Sequence, residues 1–335
     1  MDAVVAPTGE LPPPPQNPAG PAPPRRPGSV RRTSTIDMTW PEGREAGPQL
    51  VCRARDIYTP PDGGAPVVLT EDRAQVRMAS DRTILAIACD PPRAEIGRLV
   101  GARGGGHLRH ALQQMLPQDR DGGSPLYLLL DDLSGASLIS SWAWSRWVDE
   151  PRDAPLARQM ENICTGFRTG SSALVREGPD RTIHNCTLVP PLAAADDPAG
   201  WHDVDDLQGV SMRRARRIDV WADDVIRVDS HFQDSASTPD GGRRMAVHEY
   251  LLAATIDPTS GALLSVDADP RTLPYRECPT AAGNVGRLLG ASARDLRQVV
   301  LVELAKTAGC THLNDALRAL AEAPILAQAA RVRAG

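Results

Sequence analysis

At 335 residues the chain is long enough for two domains of ordinary size or one large pseudo-symmetric domain. A net charge of -5 offers no general attraction to nucleic acid or to an anionic membrane, and no apolar run approaches the roughly 18 residues needed to cross a bilayer. The apolar fraction of 41% is enough for real cores, drawn from Ala, Leu and Val with only two Phe.

The N-terminus carries ten prolines in its first 29 residues and no apolar stretch of the signal-peptide kind. Residues 1–29 therefore read as a disordered, partly polyproline-like arm. Without an export signal, the six cysteines (52, 89, 164, 186, 278 and 310) are expected as reduced cytoplasmic thiols rather than a disulfide framework. A first module, 30–148, runs through strand patterns at 76–78 and 83–88 into helical spacing at 94–100 and 107–116. Gly104-Gly105-Gly106 interrupts those helices and reads as a loop, since the strand–loop–helix setting of a phosphate cradle is missing. Trp142, Trp144 and Trp147 read as packing residues.

A connecting segment, 149–208, is rich in Pro, Asp and Gly, and its length implies an ordered insertion or a functional loop. The second module, 209–335, opens on Arg213-Arg214-Ala215-Arg216-Arg217, which reads as a solvated strand end. Strands are expected over 218–228, 250–256 and 263–266, with the turn Pro258-Thr259-Ser260-Gly261 between the last two. Helical spacing follows at 285–289 and 296–304. Gly309 closes that helix, and a last helix starts near Thr311.

The two modules echo each other in order. Residues 31–37 are matched by 213–219, 84–91 by 263–270, and 96–102 by 285–291, at an offset of about 180–190 residues. The fold expected is α+β: two related antiparallel-strand-then-helix modules about a pseudo-twofold axis.

Chemistry is concentrated in the second copy. Cys278 opens its first helix, and Cys310 lies 32 residues later at the mouth of the last, with His312 two positions on. A thiol at a helix N-terminus is favoured as thiolate by the dipole and the free N–H groups. Two thiolates and an imidazole suit zinc or an iron–sulfur cluster. The first copy has Tyr127, Leu128 and Leu129 at the corresponding place, so the fold itself does not require the Cys–His pair. Cys164, His184 and Cys186 lie in the connecting segment, where His184-Asn185-Cys186 reads as half of a second site or as loop residues. Of His248 and Glu249, which point to opposite faces of one strand, one is expected near Cys278. No GxSxG elbow supports a nucleophilic serine. Two other readings stand beside the metal site: a metal-free thiol enzyme with Cys310 as nucleophile and His312 as base, and a non-catalytic interaction or scaffold protein. The partner is an unidentified small molecule or protein.

Residues 31–37, Val247-His248-Glu249-Tyr250, Leu273-Pro274-Tyr275-Arg276-Glu277-Cys278-Pro279 and Cys310-Thr311-His312-Leu313-Asn314-Asp315 resemble a bacterial family known only as a domain of unknown function. The second copy is also distantly similar to U-type iron–sulfur scaffold proteins. That resemblance implies Cys278 as the first ligand and Cys310 with His312 as the late pair. No cysteine between 279 and 309 matches the scaffold's middle ligand. A fourth ligand would then be water, substrate or a carboxylate such as Asp269, Glu277 or Asp315.

Overall fold

The structure is a computed structural model and describes residues 11–147, 159–175, 185–240 and 242–334. Four strands form an antiparallel meander: β1 (Ser29–Thr39), β2 (Gln49–Thr59), β3 (Val67–Met78) and β4 (Ile84–Asp90). A 3-10 segment (Ile96–Leu99) and the helices α1 (Gly106–Met115) and α2 (Pro125–Ile139) follow. After the short β5 (Thr187–Val189), the order recurs in β6 (Ser211–Ala222), β7 (Ile226–Ser237), β8 (Arg244–Ile256) and β9 (Leu263–Thr272). A 3-10 segment (Cys278–Leu288) then leads to α3 (Leu296–Glu303), α4 (Thr311–Arg318) and α5 (Ala323–Ala334). No described helix is long and apolar enough to cross a membrane.

The strands make one nine-stranded sheet, ordered β4-β3-β2-β1-β6-β7-β8, with β5 and β9 sharing the outer edge of β8. The halves meet where β1 runs antiparallel to β6, from Val30 opposite Val220 to Thr39 opposite Ser211. Side chains alternate faces along a strand. One face of this pair is covered by α2 and α5, and the other by residues 11–28 and 185–206. Both strands are therefore buried on both sides along nearly their whole length.

Several expectations change here. The arginine run 213–217 is not a solvated strand end: Arg213, Arg214, Arg216 and Arg217 all lie inside β6 and are 6% exposed or less. Each finds a carboxylate, which is why the chain tolerates them in a central strand. The strand expected over 218–228 is two strands, β6 and β7, turning at 223–225. Two arginines exchange partners across the β1–β6 seam: Arg31 Nε donates to Asp219 Oδ1 at 2.6 Å and Arg213 Nε to Asp37 Oδ1 at 2.5 Å. The 3-10 segments also end alike. The Gly101 N–H, at φ 87, donates to the Ile84 carbonyl at 2.8 Å, and the Gly290 N–H, at φ 80, to the Leu263 carbonyl at 2.9 Å.

The disordered arm is corrected over the residues described; 1–10 lie outside them. Residues 11–28 form a strap along β9 and over the sheet. The Asn17 N–H donates to the Arg271 carbonyl at 2.9 Å, the Ala22 N–H to the Leu192 carbonyl at 2.9 Å, and the Ala19 N–H to Glu249 Oε2 at 3.1 Å. Arg25 grips Asp197 with Nε and Nη2, the latter at 2.7 Å from Oδ1, and Arg26 lies 4.7 Å from the Trp221 ring centroid. Prolines pre-set the extended backbone, so less entropy opposes docking than a Gly-rich arm would lose. In the connecting segment, the His202 ring sits between the Thr33 and Thr35 hydroxyls, 2.8 Å from each. Deleting residues 1–25 is expected to cost at least about 2 kcal/mol, from several lost hydrogen bonds and one bidentate ion pair. Urea unfolding of the truncated and full chains checks this; equal midpoints would show that the strap contributes nothing.

Candidate metal centre

The site lies on the helix-covered face of the second half, where a row of side chains crosses three strands. Register places Arg214 of β6 opposite Asp234 of β7, and Asp234 opposite His248 of β8. Arg214 holds Asp234 bidentately, Nε to Oδ1 at 2.9 Å and Nη2 to Oδ2 at 3.0 Å, and its Nη1 donates to Asp315 Oδ2 of α4 at 2.8 Å. Helix α4 lowers His312 onto this row, and its ring stacks on that of His248 with centroids 3.5 Å apart and planes 13° from parallel. The open question about 248 and 249 is thereby resolved. His248 faces the site, whereas Glu249 faces the strap and accepts from Gln233 at 2.9 Å while meeting His231 at 2.8 Å.

His312 is 7% exposed, and burial with the nearby Arg214 charge pushes its pKa down to about 3. The ring is therefore neutral and carries one N–H. Its Nδ1 lies 3.3 Å from Thr311 Oγ1 and 4.0 Å from Cys310 Sγ. Its Nε2 is buried without a hydrogen bond, 3.6 Å from Asp234 Oδ2.

Cys310 caps α4 in extended conformation, φ −119 and ψ 131, which turns its sulfur back over the first N–H groups of the helix. The N–H groups of Leu313 and His312 and the Tyr250 hydroxyl all favour its thiolate, yet burial outweighs them and pushes the thiol up. The low thiol pKa expected of a helix N-terminus is thus corrected: desolvation exceeds the dipole at a site 2% exposed. The Tyr250 hydroxyl is fully buried and has no partner of hydrogen-bond geometry.

A third cysteine joins from the connecting segment. The Thr165 N–H donates to the Gly309 carbonyl at 2.9 Å and its hydroxyl meets that of Thr280 at 2.8 Å, which seats Cys164 beside both helix mouths. N–H groups of Phe167, Gly166 and Thr311 face the Cys164 sulfur, while burial and then Cys310 push its thiol up to about 12. Cys278 is pushed well above the usual thiol range by burial, then by Cys310 and Cys164. A Cβ added to Gly166 would stand 2.7 Å from Cys278 Sγ and 3.9 Å from Cys164 Sγ, so glycine is what lets this turn approach.

Cys278, Cys310 and His312 are all buried, and Cys310 neighbours both of the others, but the three ligand atoms are not all within 4.8 Å of one another. Among the described residues, the group that meets that distance is Asp234, His248 and His312. An ion sits near the plane of each imidazole that binds it. Two rings stacked 3.5 Å apart have planes that do not meet at a common ion, so only one can be a ligand as placed. Both Asp234 oxygens also accept from Arg214, so the carboxylate charge is already paired.

Each of the three carboxylates considered as a fourth ligand is engaged by other groups. Asp269 pairs with Arg271, Glu277 accepts from the Ser172 N–H and hydroxyl at 2.9 and 2.7 Å, and Asp315 is held by Arg214 and Arg109. Sequence reasoning missed Cys164, grouping it with His184 and Cys186. His184 lies outside the described residues, and Cys186 packs against the core of the first half. The usable signal was Gly166, two residues after the thiol, where a tight turn presents N–H groups to sulfur.

Behind the site lies a connected set of buried charges. Arg32, Arg109, Arg214, Arg216, Arg297 and Arg318 meet Asp56, Asp131, Asp132, Asp234, Asp315 and Glu322. The signs balance, as burial demands. Helix α2 reaches this set through Gly135, where an added Cβ would land on Asp315 Oδ2 and Arg214 Nη1.

Residues 212–326 match a family described as "Protein of unknown function (DUF2889)". That span runs from β6 into α5 and includes His248, Cys278, Cys310 and His312. No curated protein and no solved structure matches the chain.

In an exposed helix interior Gly→Ala gains about 1 kcal/mol. At Gly135 overpacking against a buried ion pair is expected to win, destabilising Gly135→Ala by about 2–3 kcal/mol. Denaturant titration measures it, and a variant as stable as the parent contradicts the packing described.

Proposed function

We propose that the protein binds a thiophilic metal ion, zinc in the first instance, through Cys164, Cys278, Cys310 and His312. The observation that carries the reading is the clustering of three buried cysteines close enough to raise one another's thiol pKa, with His312 Nδ1 4.0 Å from the Cys310 sulfur and backbone N–H groups facing Cys164 and Cys310. Three thiolates and one imidazole are a set that structural zinc uses, closed to water. Cys164 takes the place of the missing middle cysteine, and the same donors suit an iron–sulfur cluster. Three adjacent buried thiols are costly to ionise alone, and a divalent cation reverses that balance. Such thiols persist in a reducing compartment, consistent with a cytoplasmic protein.

Burial weighs against the thiol-enzyme reading. Cys310 is 2% exposed with a raised pKa, and two cavities of about 240 and 460 Å³ are lined by other residues. The proposal includes a duplicated module. The repeated meander, the exchanged Arg31–Asp219 and Arg213–Asp37 pairs and the matching Gly101 and Gly290 closures support a pseudo-twofold relation in which the second copy acquired the ligands.

The test is elemental analysis of the full chain purified anaerobically. Close to one equivalent of zinc or iron is expected, lost in Cys310→Ser and Cys164→Ser and kept in Cys89→Ser. Saturating zinc at about a thousand times Kd is expected to add about 4 kcal/mol to the apo-protein. A metal-free protein whose melting temperature zinc leaves unchanged would overturn the reading.

A further inference from the structure

The Asp234–His312 contact has a role that goes beyond naming ligands, and it rests on the metal reading just given. A neutral histidine has one N–H and one lone pair, and the environment of each nitrogen decides which is which. Nδ1 faces the Cys310 sulfur and the Thr311 hydroxyl. Nε2 is buried, makes no hydrogen bond and points toward a carboxylate oxygen 3.6 Å away, roughly half an ångström beyond hydrogen-bond reach. A carboxylate only accepts, so the proton belongs on Nε2 and the lone pair on Nδ1, beside the thiols.

We infer that Asp234 is a positioning residue: its carboxylate, 3.6 Å from Nε2 of His312, holds the ring proton on that nitrogen by charge and so aims the Nδ1 lone pair toward Cys310 and the metal proposed there. Two neighbours make that aim rigid. His248 stacks on the ring and blocks its rotation. Arg214 fixes Asp234 by both oxygens, which anchors the positioning group to the central strand β6. The compact Asp234, His248 and His312 group is accordingly the outer support of the site rather than a second metal site.

The chain contains its own control. Arg32 holds Asp56 across β1 and β2 in the same bidentate way, with Nε–Oδ1 and Nη2–Oδ2 both 2.6 Å. The next charged group at Asp56 is Glu322 rather than an imidazole. Asp56→Asn and Asp234→Asn therefore damage equivalent buried ion pairs, but only Asp234 supports a ligand.

The experiment titrates Co2+ into the full-length parent, Asp234→Asn and Asp56→Asn, each checked for a cooperative unfolding transition. Loss of outer support lowers metal affinity about 10–100-fold, so Asp234→Asn is expected in that range with an altered Co2+ absorption spectrum. Asp56→Asn is expected to stay within about threefold of the parent, with an unchanged spectrum. Equal affinities and spectra in the two variants would overturn the positioning role while leaving the metal reading intact. Failure of the parent to bind Co2+ would overturn both. Should Asp234→Asn fail to fold, 15N shifts of His312 in the metal-free parent decide: the Nε2–H tautomer is expected, and the Nδ1–H tautomer would overturn the proposal.

Discussion

The fold depends on burying guanidinium groups in the middle of a sheet. β1 and β6 place arginines at positions where central strands ordinarily carry Val or Ile, and both strands are covered on both faces. Removing one partner of such a pair costs about 3–5 kcal/mol, because the other charge is left stranded. The pairs therefore select arrangement more than they add stability. A slip of one residue between β1 and β6 would move Asp219 away from Arg31 and Asp37 from Arg213 and turn every side chain to the other face. The register of the seam, and with it the relation of the two halves, follows from these ions.

The same charges govern the site. Asp315 lies one turn along α4 from His312, and Arg214 ties it to Asp234, so helix, strand and imidazole share one electrostatic anchor. Burial, with the Arg214 charge beside it, keeps His312 neutral, the form the proposed metal role requires. Dry surroundings keep the nearby thiols protonated, which disfavours a free thiolate nucleophile. Close approach of α2 at Gly135 and of the Cys164 turn at Gly166 seals both sides.

Much of this was legible before the structure. Residues 31–37 and 213–219, expected to match, both lie in strands, and 96–102 and 285–291 both include 3-10 turn residues. Helices beginning near 107, 296 and 311 followed from apolar spacing and from Gly309. What stayed hidden was tertiary. An arginine-rich strand has the pattern of a solvated edge, and nothing local reveals that Asp37, Asp132, Asp219 and Asp234 wait across the sheet. A proline-rich segment has too few apolar groups to predict docking, yet its carbonyl and N–H groups find β9 and Glu249. Cys164 was unreadable because its partners are more than a hundred residues away and join it through a turn set by Gly166. His248 could be placed on a strand but not on a face, since the face depends on the bulge between Asp234 and Ser235.

Zinc K-edge X-ray absorption on the full chain as isolated tests the central claim most directly, because it counts ligand types without mutation. The account predicts three sulfur atoms at about 2.3 Å and one nitrogen at about 2.0–2.1 Å. A shell of nitrogen and oxygen alone would put the ion on Asp234 and a histidine and contradict it.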